Sequence, residues 1–146
     1  MKSIAVIGAG YLGKNLVRNY FELGVLNSVC DFSKEVLSGL QKTFPEVTYT
    51  TNFDHVLADK TVKAVVIALP AESHYEYAAK ALRAGKDVFV EKPLAINSSQ
   101  LVAISKQLTA KSQSLLSVGF NRRFAPLAQH LKSSIVDRQS SMHIHY

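Results

Sequence analysis

The chain contains no tryptophan, one cysteine, two methionines and four prolines, and nowhere in its 146 residues does an apolar run approach the ~20 residues that cross a bilayer. A lone Cys30 cannot make an internal disulfide, which excludes a disulfide-stapled extracellular scaffold and agrees with a reducing compartment. Flanked by Val29 and Asp31, it reads as a small core residue at a strand end. The first apolar run, Ile4-Ala5-Val6-Ile7, stops at Gly8 and is too short for a signal peptide. These absences lead us to expect a cytoplasmic protein with no membrane partner. Internal repeats, low-complexity tracts and linkers are missing as well. With 47% hydrophobic and 19% charged residues the composition is that of an ordinary globular domain, not a disordered chain.

Acidic residues are scarce: 11 stand against 17 Lys and Arg, for a net charge of +6. The shortage is local. Residues 1–100 hold 11 cations and 10 acids, whereas residues 101–146 hold six cations and one acid. Lys106, Lys111, Arg122, Arg123, Lys132 and Arg138 are spread out and form no run of like charge, so no nucleic-acid partner is expected.

What is present is an alternation of two periods. Ile4–Ile7, Val29-Cys30, 64–69, 88–90 and 115–118 are apolar without polar alternation, as strands buried on both faces of a parallel sheet read. Between them lie helical patterns. Leu12, Leu16, Tyr20 and Leu23 share one face ahead of Gly24, and Val36, Leu37 and Leu40 precede Pro45. Ser73-His74-Tyr75-Glu76 has capping-box spacing and opens a helix that stops at Gly85. Asn97 with Gln100 opens another, and Pro126 leads into Leu127, Leu131 and Ile135. The order predicts an α/β fold: a Rossmann-type doubly wound, mainly parallel sheet with helices on both faces, joined by right-handed crossovers.

Ligands of such sheets bind at the strands' carboxyl ends, where strand order reverses. There the first strand runs into Gly8-Ala9-Gly10-Tyr11-Leu12-Gly13, with a helix starting inside the motif and Asp31 following 18 residues later at the end of the second strand. Gly8 suits the tight turn, Gly10 lets backbone approach a pyrophosphate, and Gly13 lets the helix pack against the sheet, while the helix N-terminus offers amide donors to an anion. Asp31 would accept hydrogen bonds from adenosine ribose hydroxyls. A 2′-phosphate would meet its like charge, and neither Phe32 nor Ser33 is a cation, so NAD is expected in preference to NADP. A glycine turn that binds nothing and an adenosine ligand such as S-adenosylmethionine remain as alternatives.

Val88-Phe89-Val90-Glu91-Lys92-Pro93 raises a separate question, because a buried strand that ends in a carboxylate and an ammonium is costly unless something uses them. Taken with Gly8–Gly13 and Asp31, with Ala68-Leu69-Pro70 and His74, and with Val118-Gly119-Phe120-Asn121-Arg122-Arg123-Phe124, this element resembles the ordered signatures of the glucose-fructose oxidoreductase / inositol dehydrogenase / rhizopine-catabolism (Gfo/Idh/MocA) family. The resemblance covers nearly the whole chain. It implies that Lys92 lies beside the nicotinamide and the substrate hydroxyl as a catalytic residue, and that Ala68, Leu69, Pro70, His74 and Glu91 line the cofactor cleft. It also implies an NAD-dependent oxidoreductase passing hydride between nicotinamide and a hydroxyl of a sugar, polyol or sugar nucleotide. Pro93 would restrict Lys92 to extended backbone and so fix the reach of the ammonium.

Members of that family carry a second, C-terminal domain. The expectation here is a Rossmann domain over residues 1–139, with residues 140–146 as the start of a truncated second domain whose absence leaves the late cations unbalanced. A chain of this extent would be inactive alone, and a homo-oligomer or a partner would supply what is missing. The alternative is a non-catalytic NAD-binding or sensing module that pairs with another chain. Arg122 and Arg123 read two ways, Arg122 as a contact to substrate oxygens or both as partners for acids of the second domain. His143 and His145 would share a strand face without a third ligand, so no metal site is expected.

Overall fold

A computed structural model describes residues 2–109 and 114–137. Six strands form one sheet: β1 (Ile4–Ile7), β2 (Leu26–Cys30), β3 (Thr48–Thr50), β4 (Ala64–Ile67), β5 (Asp87–Val90) and β6 (Leu116–Val118). Their spatial order is β3-β2-β1-β4-β5-β6, and every neighbouring pair is parallel. Strand order therefore reverses beside β1, between β2 and β4.

The intervening helices are α1 (Gly13–Glu22), α2 (Lys34–Thr43), α3 (Phe53–Ala58), α4 (Ala71–Arg83) and α5 (Ser98–Thr109), with a 3-10 turn (Asn121–Phe124) and α6 (Pro126–Asp137) after β6. The lack of polar alternation in the central strands now has its reason. Ala5, Ile7, Val65, Ile67, Val88 and Val90 pack with α3, α4 and α5, while Val6, Val66 and Phe89 between them pack on the opposite face with α1 and α2. Both faces are dry, so both sets of positions must be apolar.

The structure differs from the sequence reading at three places. β2 begins at Leu26 and takes in Asn27 and Ser28, whose polarity hid the strand. β3, Thr48-Tyr49-Thr50, is a polar strand at the edge of the sheet, and α3 is a short helix capped by Asn52, which accepts from the Asp54 amide at 2.8 Å. Neither was expected, because each is too short to show a period. The capping box at Ser73 does not form either. α4 starts three residues earlier with Pro70 in the N-cap position, and the Ser73 amide donates to the Pro70 carbonyl at 2.9 Å inside the first turn. The cap expected at α5 is present: Asn97 Oδ1 accepts from the Gln100 amide at 3.0 Å, and Gln100 Oε1 accepts from the Ile96 amide at 3.1 Å.

The amino edge of the sheet is held by a buried cation. Lys86 is 6% exposed and donates from Nζ to the carbonyls of Asp59 at 2.6 Å and Val62 at 2.8 Å. Burial pushes its pKa below the ordinary lysine value, and the nearby Asp59 carboxylate opposes that shift. Among the described residues no helix is long and apolar enough to cross a membrane. The expected strand at 141–146, with His143 and His145, lies outside the described residues, as do Lys111 and Arg138.

Candidate functional site

At the carboxyl edge each central strand hands its ladder one residue further. The Gly8 amide donates to Cys30 O at 2.8 Å, Ala68 N to Ile7 O at 2.8 Å, Glu91 N to Ile67 O at 2.9 Å and Gly119 N to Val90 O at 2.8 Å. The expected site residues therefore leave the sheet side by side on one edge.

The glycine loop is built on two close approaches. Gly8 has φ +87°, a left-handed conformation, and a Cβ there would stand 2.7 Å from the Ala68 carbonyl oxygen and 2.9 Å from Leu69 Cδ2. A Cβ on Gly13 would overlap the Gly8 carbonyl, so only glycine lets α1 start this near β1. Gly10 is different. A Cβ there would meet nothing within 4 Å, so the space over it is open. α1 has no side-chain cap and no acid in its first turn, which leaves the positive end of the helix facing that space.

Asp31 ties the loop to the second strand. Its Oδ2 accepts from the Ala9 amide at 2.7 Å and its Oδ1 from the Ser33 amide at 2.8 Å, while Ser33 Oγ caps α2 by accepting from Val36 N at 3.2 Å. The carboxylate is oriented by two main-chain donors and is still half-buried at the surface, with lone pairs left for a ligand hydroxyl. The tie to Ala9 was not foreseen. The buried Cys30 thiol next to it is pushed up to about 11, first by desolvation and then by the Asp31 charge. Phe32, 67% exposed, meets Tyr77 of α4 edge-on at 6.4 Å, and Tyr77 packs on Phe53 at 4.7 Å. Tyr77 is thus a backing residue that the sequence pattern did not single out.

A shallow cavity of about 430 Å³ opens on the α1–α2 side of the loop, among Gly10, Tyr11, Lys14, Glu35, Val36 and Leu40. Tyr11 and Leu12 are exposed beside it, and Lys14 Nζ stands 5.5 Å from the Tyr11 ring centre. The cavity does not reach Lys92. At that other end Glu91 lays its carboxylate over Gly119, where a Cβ would be 3.1 Å from Oε2 and 3.2 Å from Oε1. Lys92 is exposed, and among the described residues it makes no ion pair with Glu91. Pro70 is exposed at the start of α4, with Ala68 and Leu69 half-buried before it. Arg122 is exposed in the turn after β6. His74 departs from its expected place in the lining: it is 2% exposed, with its ring nitrogens 2.7 Å from the carbonyl oxygens of Leu69 and Pro93. Among the described residues no group of three or more His, Cys, Asp or Glu could hold a metal ion.

Comparison with known proteins agrees with this geometry. Residues 2–120 match the GFO_IDH_MocA family, described as an oxidoreductase family with an NAD-binding Rossmann fold. The chain is 32% identical over 142 residues to inositol 2-dehydrogenase/D-chiro-inositol 3-dehydrogenase of Lactiplantibacillus plantarum, covering 92% of this chain and 39% of that protein. Among solved structures it resembles an NAD-binding protein from Listeria innocua (TM-score 0.82, 28% identity, 95% of this chain and 41% of that one). It also resembles GenD2 from gentamicin A biosynthesis in complex with NAD (TM-score 0.81, 30% identity, 98% and 41%). The chain thus spans about two fifths of the length of the relatives it matches.

Proposed function

Because the chain belongs to the oxidoreductase family whose NAD-binding Rossmann domain it matches over residues 2–120, we propose that it binds NAD across its carboxyl edge and serves hydride transfer to or from a hydroxyl-bearing carbon of a sugar, polyol or sugar nucleotide. The observation that carries this reading is the pairing of open space over Gly10 with a Gly13 that allows no side chain. A loop held that tightly, with one bare face turned to an uncapped helix end, fits a pyrophosphate. Asp31 would take the ribose hydroxyls and Phe32 would wall the adenosine end. Ala68, Leu69 and Pro70 would line the middle of the cleft and Glu91 its far end. The oriented Asp31 carboxylate, with no cation beside it in sequence, supports NAD over NADP.

When bound, the nicotinamide ring supplies the hydride donor or acceptor. Lys92, exposed at the end of β5 and free of Glu91, would hydrogen-bond the reacting oxygen; as the neutral amine it would take the hydroxyl proton in alcohol oxidation as hydride leaves the carbon, and as the ammonium it would return that proton in reduction. Arg122, exposed in the next loop along the edge, would bind further substrate oxygens. The relatives are more than twice as long as this chain, which supports a pocket completed by further residues, from a second domain or a partner, and negligible turnover from this span alone. A titration following nicotinamide fluorescence tests the cofactor reading. The expected result is NADH binding in preference to NADPH, with the preference lost in Asp31→Ala; equal affinity for both in the parent chain refutes the specificity.

A further inference from the structure

His74 sits in the first half of α4 with almost no exposure, and the distances at its ring constrain its protons. Nδ1 is 2.7 Å from the Pro93 carbonyl oxygen and Nε2 is 2.7 Å from the Leu69 carbonyl oxygen. A carbonyl oxygen only accepts, so whichever ring nitrogen carries a hydrogen donates it to the carbonyl that it faces. The two carbonyls belong to segments that bear on the site. Leu69 lies between Ala68, whose own carbonyl faces Gly8, and Pro70 at the start of α4; Pro93 directly follows Lys92.

We infer that His74 is a positioning residue: its buried ring bridges the loop after β4 to the Lys92–Pro93 segment and so sets where the Lys92 side chain stands over the cleft. The inference deepens the cofactor reading above and rests on it only for the effect on NADH. Of the elements packed against α4, α3 carries Asp54 and His55, β4 carries no titratable side chain, β5 begins at Asp87 and leads into Glu91 and Lys92, and α5 carries Lys106. α4 itself adds Glu72, Tyr75, Glu76, Tyr77, Lys80 and Arg83. Neither glutamine nor asparagine can reproduce the bridge, because an amide side chain has its donors on one atom only.

The test is nitrogen-detected NMR of the isotope-labelled chain without ligand at neutral pH, beside His74→Gln and Lys86→Met. A His74 ring N–H in slow exchange with water is expected, since the ring is buried and faces a carbonyl from each nitrogen. In His74→Gln the backbone amides of Leu69 and Ala71 and those of Lys92 and Leu94 should move together, and NADH affinity should fall about tenfold because the Leu69–Pro70 lining of the cleft shifts with its carbonyl, a loss the size of one hydrogen bond. Lys86→Met, which removes a comparable pair of carbonyl bonds at the opposite edge of the sheet, should lower the melting temperature but leave those amides and NADH affinity as in the parent. A His74 ring N–H that exchanges freely with water, a Lys92 amide that stays in place in His74→Gln, or parental NADH affinity in that variant would each overturn the inference. If His74→Gln does not fold, the ring spectrum of the parent decides. If the parent binds no NADH, the cofactor reading fails while the ring and amide signals still judge the bridge.

Discussion

A methyl group added at Gly10 separates folding from binding, because the structure assigns those two roles to different glycines of one loop. Nothing lies within 4 Å of a Cβ at Gly10, and its φ is not positive. Gly10→Ala should therefore leave stability unchanged or raise it by up to ~1 kcal/mol through the reduced freedom of the unfolded chain. The same methyl occupies the face that a pyrophosphate would approach. Displacing the phosphates enough to lose one charge-assisted amide bond costs about 1.5–3 kcal/mol, or roughly 10- to 100-fold in affinity. Gly13→Ala reverses the outcome. Its Cβ would overlap the Gly8 carbonyl, so α1 must move off the sheet, at a cost of at least ~3 kcal/mol out of a typical ~5–15. Urea denaturation with unchanged m-values gives the stabilities, and NADH titration gives the affinities. A Gly10→Ala chain that binds NADH like the parent, or a Gly13→Ala chain as stable as the parent, would refute the division of roles.

Three other outcomes follow from groups elsewhere in the fold. Lys86→Met should cost about 1–3 kcal/mol, the price of leaving the Asp59 and Val62 carbonyls without their donor; differential scanning calorimetry reads it, and an unchanged melting temperature would contradict the role. Cys30 holds its proton more tightly when folded, its pKa rising from 9.0 to about 11, so the unfolded chain loses that proton first and stability should fall as pH rises through that range, by about 2–3 kcal/mol in all. Lys86, with its pKa lowered, acts in the opposite sense just below the ordinary lysine value, so the comparison that isolates the thiol is the parent against Cys30→Ala, in which the alkaline loss should shrink. Finally, in an enzyme of this family assembled with its whole substrate pocket, Lys92→Ala should lower kcat by at least ~100-fold with NADH affinity within about threefold; turnover within a few-fold of the parent would remove Lys92 from the chemistry.

Most of the sheet was legible because its central strands are buried on both faces, and double burial leaves an unbroken apolar run that a sequence displays directly. The glycine loop was legible for a related reason: its three glycines and Asp31 each answer a steric or electrostatic demand that few residues meet. β3 and α3 were not legible. At the edge of the sheet Thr48 and Thr50 need bury little, and a helix as short as Phe53–Ala58 completes too few turns to show a periodicity. The helix start at α4 was misplaced because Ser73 and Glu76 match a capping pattern that Pro70 pre-empts by setting the helical turn three residues earlier.

The residues of the candidate site divide in the same way. Local sequence determined that Gly8 must turn, that Gly13 must be small, that an acid ends β2, and that Glu91, Lys92 and Pro93 end β5, since each is a property of a strand end and its immediate neighbours. Only the tertiary structure decided that Asp31 is clamped by the Ala9 and Ser33 amides, that Glu91 rests on Gly119, that Tyr77 backs Phe32, and that His74 turns inward to two carbonyls. Apart from the local bonds of Asp31 to Ser33 and of His74 to Leu69, those contacts join segments from different βα units, and no spacing along the chain encodes them. They exist because a parallel sheet delivers all of its carboxyl ends to one edge, where main-chain donors and acceptors that leave the ladders must find partners across the loops.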